Sequence, residues 1–244
     1  MIIRPHFNDV MFDGKSLADF GVHVSGDGVF SSPERDYDVV SVPGRNGDLY
    51  LDNGRYKNMQ VTYHAFVADD FRKNMQGLRG FLLSRNGYKK IEDSYHPDEY
   101  RLGVYKGPLD FEALFLKAAE FDLTFDCKPQ RFLKIGDQEI IITTNGSSVG
   151  RVLRNPTYFT AKPILRVYGN GQLGISSATI TVSDNPSFID IDCDTLNCHN
   201  GATDMSQYVT ITNNKFPTFE PGENHVVVPS GVSRLSIWPR WWML

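Results

Sequence analysis

In the first half of the chain, apolar and polar residues alternate in short runs separated by turn signals, a pattern typical of β-strands. The clearest run covers residues 58–68, where one face carries Val61, Tyr63, Ala65 and Val67. The same pattern predicts strands at residues 20–24, 38–42, 100–105 and 121–127. Because proline cannot donate to a strand ladder, Lys128–Pro129 is predicted to end the last of them.

One segment of this half follows a helical period instead. Its apolar residues are spaced three or four apart and form one stripe, made of Phe71, Met75, Leu78, Phe81 and Leu82. Asp69 or Asp70 can cap its start by accepting backbone N–H bonds, and Asn86–Gly87 supplies a left-handed residue to end it. The sequence therefore predicts one helix packed on a sheet.

The second half shows short strands and no helical pattern. The polar, turn-rich segment 145–156 predicts a domain boundary, with domains of residues 1–140 and 141–244. Strands at the spacing of an antiparallel sandwich are predicted at 164–168, 178–182, 188–193, 208–212, 224–228 and 234–239. The predicted fold class is mainly β, with one α-helix in a sandwich-like N-terminal domain and an antiparallel jelly-roll sandwich in the C-terminal domain.

Composition narrows the function classes. The 244 residues carry a formal net charge of −4, which argues against non-specific nucleic-acid binding. The start of the chain lacks the apolar core of a secretory signal, and no 18 successive apolar residues occur. We therefore expect synthesis and folding in a cytosol and no membrane partner.

The three cysteines, an odd and small number, fit a reducing compartment rather than a disulfide framework. Cys193, Cys198 and His199 contain zinc-binding residue types. They lack a fourth ligand at finger-like spacing, and no zinc site is predicted.

An acidic stretch, Ile189–Asp194, is the best candidate for a chemical site. In a strand, Asp190, Asp192 and Asp194 share one face, where they could bind Ca²⁺ or serve as the acid and base of a glycoside hydrolase. Such alternation more commonly marks a strand with a buried apolar face and a solvated acidic face. No glycine-containing calcium loop accompanies these carboxylates, so a structural role is predicted.

Two other groups contain reactive residue types without the necessary arrangement. Asp93, Ser94 and His96 lie within one short loop, whereas a catalytic triad draws its members from separate parts of a fold, and an ordinary turn is predicted. Residues 44–47 (Gly-Arg-Asn-Gly) lack the lysine and Ser/Thr of a phosphate-binding loop. The sequence predicts no catalytic residue, no metal site and no cofactor.

The last residues of the chain are rich in tryptophan. Trp238, Trp241 and Trp242 surround Arg240, and these two residue types dominate interface hot spots. The favoured interpretation is a final strand whose indoles fill the sandwich core. A docking surface with some rings outside is the alternative, and these four residues are the predicted binding or core residues.

A set of turn-rich motifs occurs in order along nearly the whole chain. In the first half they are VPGRNGDL (42–49), YKN (56–58), DSYHPDEYRL (93–102) and TFDCKP (124–129). In the second half they are NPT (155–157), AKP (161–163), VYGNG (167–171), FP (216–217), EPGEN (220–224) and PRWW (239–242). Together these motifs resemble the distal tail protein (Dit) family of phages with long, non-contractile tails.

The resemblance implies a non-enzymatic protein that forms a homohexameric ring at the virion tail tip. The N-terminal domain would combine a β-sandwich, one helix and an extended hairpin that forms a belt with its neighbour, and the C-terminal domain would be a galectin-like sandwich. The implied partners are the tail-tube protein, the tail-associated tip protein and, in many phages, a receptor-binding protein. DNA would only pass through the lumen.

Two functions of other classes stay open at the level of sequence. The C-terminal sandwich could bind host cell-wall sugars, with rings supplied by Tyr168, Tyr208 and Trp238. A glycoside hydrolase using Asp190 and Asp192 is the third alternative.

Overall fold

The computed structural model describes residues 9–24, 30–68, 71–110, 112–115, 118–176 and 178–244. The chain divides into two compact units, residues 1–131 with Leu244, and residues 132–243. The predicted fold class, mainly β with one α-helix, is confirmed within these described ranges. The ring-forming and galectin-like roles assigned to residues 1–140 and 141–244 stay predictions.

The first unit is built on one sheet with the strand order β2-β1-β7-β8-β10-β6-β3, and β9 also pairs with β10. Strands β4 and β5 form a separate two-stranded hairpin. The strands are β1 Val10–Phe12, β2 Lys15–Ser16, β3 Val22–Val24, β4 Arg35–Val40, β5 Leu49–Tyr56, β6 Met59–Ala68, β7 Lys89–Asp93, β8 Glu99–Tyr105, β9 Glu112–Phe115 and β10 Ala118–Leu133.

The core of the first unit follows the predicted periodicities. The alternating residues of β6 are buried as expected, at Val61, Tyr63, Ala65 and Val67. Tyr63 Oη donates to Asp93 Oδ2 at 2.8 Å, although β8 and β10 separate β6 from β7 in the sheet order. This cross-sheet contact requires the sheet to curl around its core.

The single helix of the described residues, α1, covers Phe71–Leu83 and buries Met75, Leu78 and Leu82. The predicted caps Asp69 and Asp70 lie outside the described residues. The helix ends at Leu83 rather than at Asn86–Gly87, and Gly87 takes its left-handed φ of 71° four residues later. The helical spacing of the apolar residues therefore predicted the helix correctly, but the predicted position of its C-terminal end was wrong.

Several predicted strand bounds in this unit are wrong, and the strand predicted at 38–42 covers Arg35–Val40 instead. The strand predicted at 20–24 begins at Val22, because Leu17–Phe20 forms a 3₁₀ turn that Ser16 caps and left-handed Gly21 closes. Strand β10 continues through Pro129 to Leu133. Its register with β6 ends at Cys127, so the missing N–H of Pro129 falls beyond the last β6 pair.

The second unit is a sandwich of two sheets, with the strand orders β11-β21-β13-β16-β17-β18 and β12-β20-β14-β15-β19. Apolar side chains from both sheets form its core, among them Leu165, Ile191, Leu235, Leu173 and Val226. The strands are β11 Ile140–Thr143, β12 Val149–Asn155, β13 Ile164–Gly169, β14 Gly171–Ile175, β15 Ala178–Val182, β16 Ile189–Asp192, β17 Asn197–Asn200, β18 Thr203–Asp204, β19 Val209–Ile211, β20 Gly222–Val228, β21 Val232–Trp238 and β22 Trp242–Met243.

The segment predicted as a boundary, residues 145–156, belongs largely to this sandwich. Val149–Asn155 is strand β12 and pairs with β20 along its whole length. It lies at the edge of its sheet, where Arg151, Val152 and Arg154 are exposed. An edge strand can carry polar side chains on both sides, which explains why its sequence resembles a linker.

Candidate assembly surface

The hairpin of the first unit has a well-defined geometry. Strands β4 and β5 pair antiparallel, with Val39 opposite Tyr50 and Val40 opposite Leu49. The connecting turn contains Gly44 and Gly47, each at a φ of 81°, a conformation that L side chains rarely adopt. The glycines of this motif therefore shape a hairpin turn.

Both faces of this hairpin are apolar and exposed. Directly paired residues share a face, so one face presents Tyr37, Val39 and Tyr50, and the opposite face presents Val40, Leu49 and Leu51. Tyr50 is 62% exposed, Val39 54% and Leu51 48%. Contiguous exposed apolar surface of this kind marks an interaction site. An isolated two-stranded hairpin is also only marginally stable in water, so contacts with a partner would stabilise it.

Charged pairs hold the strands together at the base of the hairpin. Arg35 donates to Asp52 Oδ2 through Nε at 2.9 Å and to Tyr56 Oη at 3.1 Å. On the other face, Arg55 Nε donates to Asp36 Oδ2 at 2.7 Å. The hydrogen bonds from Arg35 lower the pKa of Asp52 below its ordinary value. Exposed pairs contribute little stability, so their main effect is to align the two strands.

Sequence reasoning predicted only residues 38–42 as a strand and missed the apolar surface. A signal was nevertheless present. Apolar residues occupy both odd and even positions in each strand, as in Val39-Val40 and Leu49-Tyr50-Leu51. Such a pattern is typical of a strand covered on both faces. The structure leaves both faces of this hairpin uncovered by the chain's own described residues.

In the second unit, a cation pairs with each carboxylate of the acidic stretch. Asp190 accepts from Arg166 at 2.6 and 2.8 Å, and Asp192 accepts from Arg240 at 2.8 and 2.7 Å. Asp194 accepts from Lys162 Nζ at 3.1 Å. These pairs support the predicted structural role and leave no free carboxylate pair for hydrolysis. The predicted solvated acidic face is wrong, because Asp190 is buried and Asp194 lies beyond the end of β16. No cluster of three metal-ligating side chains occurs among the described residues.

The Arg240–Asp192 pair makes the stability of the second unit depend on pH. Burial opposes ionisation of Asp192, but hydrogen bonds from Arg240 and from the Asp194 backbone outweigh it and lower its pKa. Because the pKa of Asp192 is lower in the folded state than in the unfolded state, where it is about 3.9, its ionised form stabilises the fold at pH values above about 3.9. This stabilisation is lost as the pH falls through the folded-state pKa. We expect Asp192→Asn to lower the free energy of unfolding at about pH 7 and to flatten its decline in acid.

Urea denaturation at a series of pH values measures this effect. Asp194→Asn is the matched control, because its pair with Lys162 is about half exposed and contributes little. Parallel pH profiles for Asp192→Asn and the unsubstituted chain would contradict the assignment.

The Asp93 loop forms the predicted turn. Asp93 Oδ1 accepts from the backbone N–H groups of Tyr95 at 3.0 Å and His96 at 2.8 Å, as in an Asx turn. His96 Nδ1 lies 3.1 Å from the same oxygen. Burial opposes ionisation of Asp93, but the hydrogen bonds from His96 and Tyr63 outweigh it and hold its pKa below the ordinary value. The carboxylate thus closes a turn and anchors it to β6.

The three cysteines are buried, free thiols. Burial raises the pKa of Cys198 to about 11 and that of Cys127 to about 12. It also raises the pKa of Cys193. A thiol held protonated in this way is a poor nucleophile.

The four predicted binding or core residues occupy different environments. Trp241 is 4% exposed and packs in the core of the second unit, 5.5 Å from the ring of Phe219. Trp242 is half-buried, stacks on Phe159 with ring centroids 4.4 Å apart, and donates from Nε1 to Thr160 O at 3.0 Å. Arg240 holds Asp192 as described. Whether any of them contacts a partner stays a prediction.

The rings predicted for sugar binding do not form one cluster. Trp238 and Tyr168 lie on the outer face of the β21–β13 pair, where Arg166 Cζ is 5.5 Å from the Trp238 ring and Arg234 Cζ is 5.4 Å from the Tyr168 ring. Tyr208 instead packs against the core next to β19, in the other sheet. The geometry therefore gives sugar binding no added support.

The described part of the chain contains no helix with the length and apolar character needed to cross a membrane. No protein-family profile matches the sequence, and no curated protein matches it. A solved structure does match: the crystal structure of SPP1 Dit (gp 19.1), described as a paradigm of the hub adsorption apparatus in phages that infect Gram-positive bacteria. The TM-score is 0.70 at 15% sequence identity, covering 94% of this chain and 97% of that chain. The chain therefore has the fold of a phage Dit protein.

Proposed function

We propose that this chain is the distal tail protein of a phage or prophage, a structural component that forms a hexameric ring at the tail tip. The observation that carries the proposal is the exposed hairpin, apolar on both faces, within a fold shared with SPP1 Dit over 94% of the chain. The role is assembly rather than catalysis, since the candidate acidic groups are engaged in ion pairs.

The hairpin suits a ring contact for a physical reason. A closed ring requires a heterologous interface, in which two different patches of neighbouring copies meet. One hairpin thus provides two different apolar patches, with Tyr37, Val39 and Tyr50 on one face and Val40, Leu49 and Leu51 on the other. Packing the hairpin against a neighbouring copy would remove these side chains from water, and the hydrophobic effect would favour closure of the ring.

In this proposal, the ring joins the tail-tube protein to the tail-associated tip protein, and the second unit is free to carry a receptor-binding protein. The location is the virion tail tip after assembly in the host cytoplasm. The mildly acidic chain, with a net charge of −4, would let DNA pass through the ring lumen without binding tightly.

Native mass spectrometry of the purified chain over a range of concentrations tests the proposal. We expect a species of six copies, either alone at high concentration or after addition of the tail-tube and tip proteins. Only monomers under all these conditions would contradict the proposed ring.

A further inference from the structure

A small, half-open cavity lies in the first unit, and no residue of the hairpin lines it. Its volume is about 10 Å³, close to that of a single water-sized probe. Residues of β7, β8, β10 and the loop before β8 line it, and they include Asp93, His96, Glu99, Arg101 and Arg131.

Arg101 has no good hydrogen-bond acceptor among the described residues. The residue is 6% exposed, and its Nη1 donates to Met59 Sδ at 3.3 Å, although a thioether is a weak acceptor. Its Nη2 is buried and has no hydrogen-bond partner in the described part of the chain. Burial, together with the nearby charge of Arg131, lowers the pKa of Arg101. A buried donor left unsatisfied costs about 1–3 kcal/mol, and more for a charged group.

Glu99, on the same cavity wall, supplies a matching unsatisfied acceptor. Its Oε2 is buried and accepts no hydrogen bond from any described residue. It lies 3.6 Å from Arg131 Nη1, an ion-pair distance too long for a good hydrogen bond. The other carboxylate of the cavity, Asp93, already accepts from Tyr63 on one oxygen and from backbone N–H groups on the other. The unmet donor of Arg101 and the unmet acceptor of Glu99 are therefore complementary.

The charges of the lining indicate the kind of ligand. Arg101 and Arg131 balance Asp93 and Glu99, so the wall is formally neutral when His96 is neutral. A bound anion would be repelled by two carboxylates, and a bound cation would be repelled by two guanidinium groups. A neutral molecule that both accepts and donates hydrogen bonds would meet no such repulsion. The volume of the cavity admits only a very small molecule. We propose that the cavity binds a single water molecule, which accepts from Arg101 Nη2 and donates to Glu99 Oε2.

A high-resolution crystal structure of the full chain, grown once in sodium chloride and once in sodium bromide, tests this site. We expect one spherical density peak at about 2.7–3.2 Å from both Arg101 Nη2 and Glu99 Oε2, with no anomalous signal in bromide. An anomalous peak would show that the site takes an anion. A direct Arg101–Glu99 hydrogen bond, or no peak in the cavity, would also overturn the proposal.

Variants at Glu99 test the role of its oxygen. Glu99→Gln keeps an acceptor of nearly the same size and should keep the peak, whereas Glu99→Leu should lose it. The Glu99 side chain is only 20% exposed, so circular dichroism should first establish that both variants fold. Glu120→Leu, at an exposed position of β10, is the control and should leave the peak unchanged. A peak that persists in Glu99→Leu would contradict the bridging role. None of these outcomes depends on ring formation.

Discussion

Replacing Tyr50 and Leu51 together with serine is expected to abolish self-association of the chain while leaving both units folded. These side chains lie on opposite faces of the hairpin and are 62% and 48% exposed, so their loss hardly changes the chain's own packing. Full burial of a large apolar side chain is worth about 1.5–3 kcal/mol, and about half of that remains to be gained for each of these half-exposed residues. Losing both would weaken each contact by roughly 10- to 300-fold.

Sedimentation velocity measures the association, and circular dichroism verifies the fold. Leu196→Ser is the matched control, because Leu196 is also exposed, at 62%, but lies on the second unit. It should leave the association unchanged. If the double variant still forms the same oligomer, the hairpin is not the ring contact, and the proposed mechanism of assembly is wrong even if the ring exists.

The second large effect is expected at Trp241. Trp241→Ala should lower the free energy of unfolding of the second unit by about 3–5 kcal/mol, because it removes a large buried side chain and leaves a cavity. Urea denaturation followed by circular dichroism measures this loss. Tyr158→Ala provides the contrast, since Tyr158 is 94% exposed and its removal should change stability by less than about 0.5 kcal/mol.

The Trp241 experiment also separates the two interpretations of the tryptophan-rich terminus. Truncating a core residue lowers the free energy of unfolding of the chain. Truncating an interface residue weakens association and leaves the free energy of unfolding unchanged. A stable Trp241→Ala chain that no longer assembles would therefore reverse the assignment made from burial. Trp242 donates a hydrogen bond to Thr160, and Arg240 donates to Asp192. These contacts favour an internal structural role for Trp242 and Arg240 as well.

The hairpin and the cavity beside Arg101 depart from ordinary packing in opposite ways. The hairpin exposes apolar side chains that a soluble chain would ordinarily cover, and this indicates a protein partner. The cavity beside Arg101 buries polar atoms that a folded chain would ordinarily pair, and this indicates a bound water. The exposed apolar side chains thus indicate a contact with a protein, and the buried polar atoms indicate a contact with water.

Much of the fold was determined by sequence alone, because periodicity is a local property. The alternation of Val61, Tyr63, Ala65 and Val67 predicted the buried face of β6, and the stripe through Met75, Leu78 and Leu82 predicted the helix. Half of the strands of the second unit, β13, β15, β16, β19, β20 and β21, were predicted for the same reason. The resemblance carried by the ordered motifs predicted a fold that the match to SPP1 Dit confirms.

Only the tertiary structure decided which strands pair with one another and which side chains form ion pairs. Asp190 and Asp192 are paired because β13 and the C-terminal segment bring Arg166 and Arg240 to them from distant positions. Segment 149–155 is a strand because β20 pairs with it. The apolar hairpin became a candidate site only when no described residue of the chain was found to cover it. Pairing and burial depend on residues far apart in sequence, and local patterns do not contain that information.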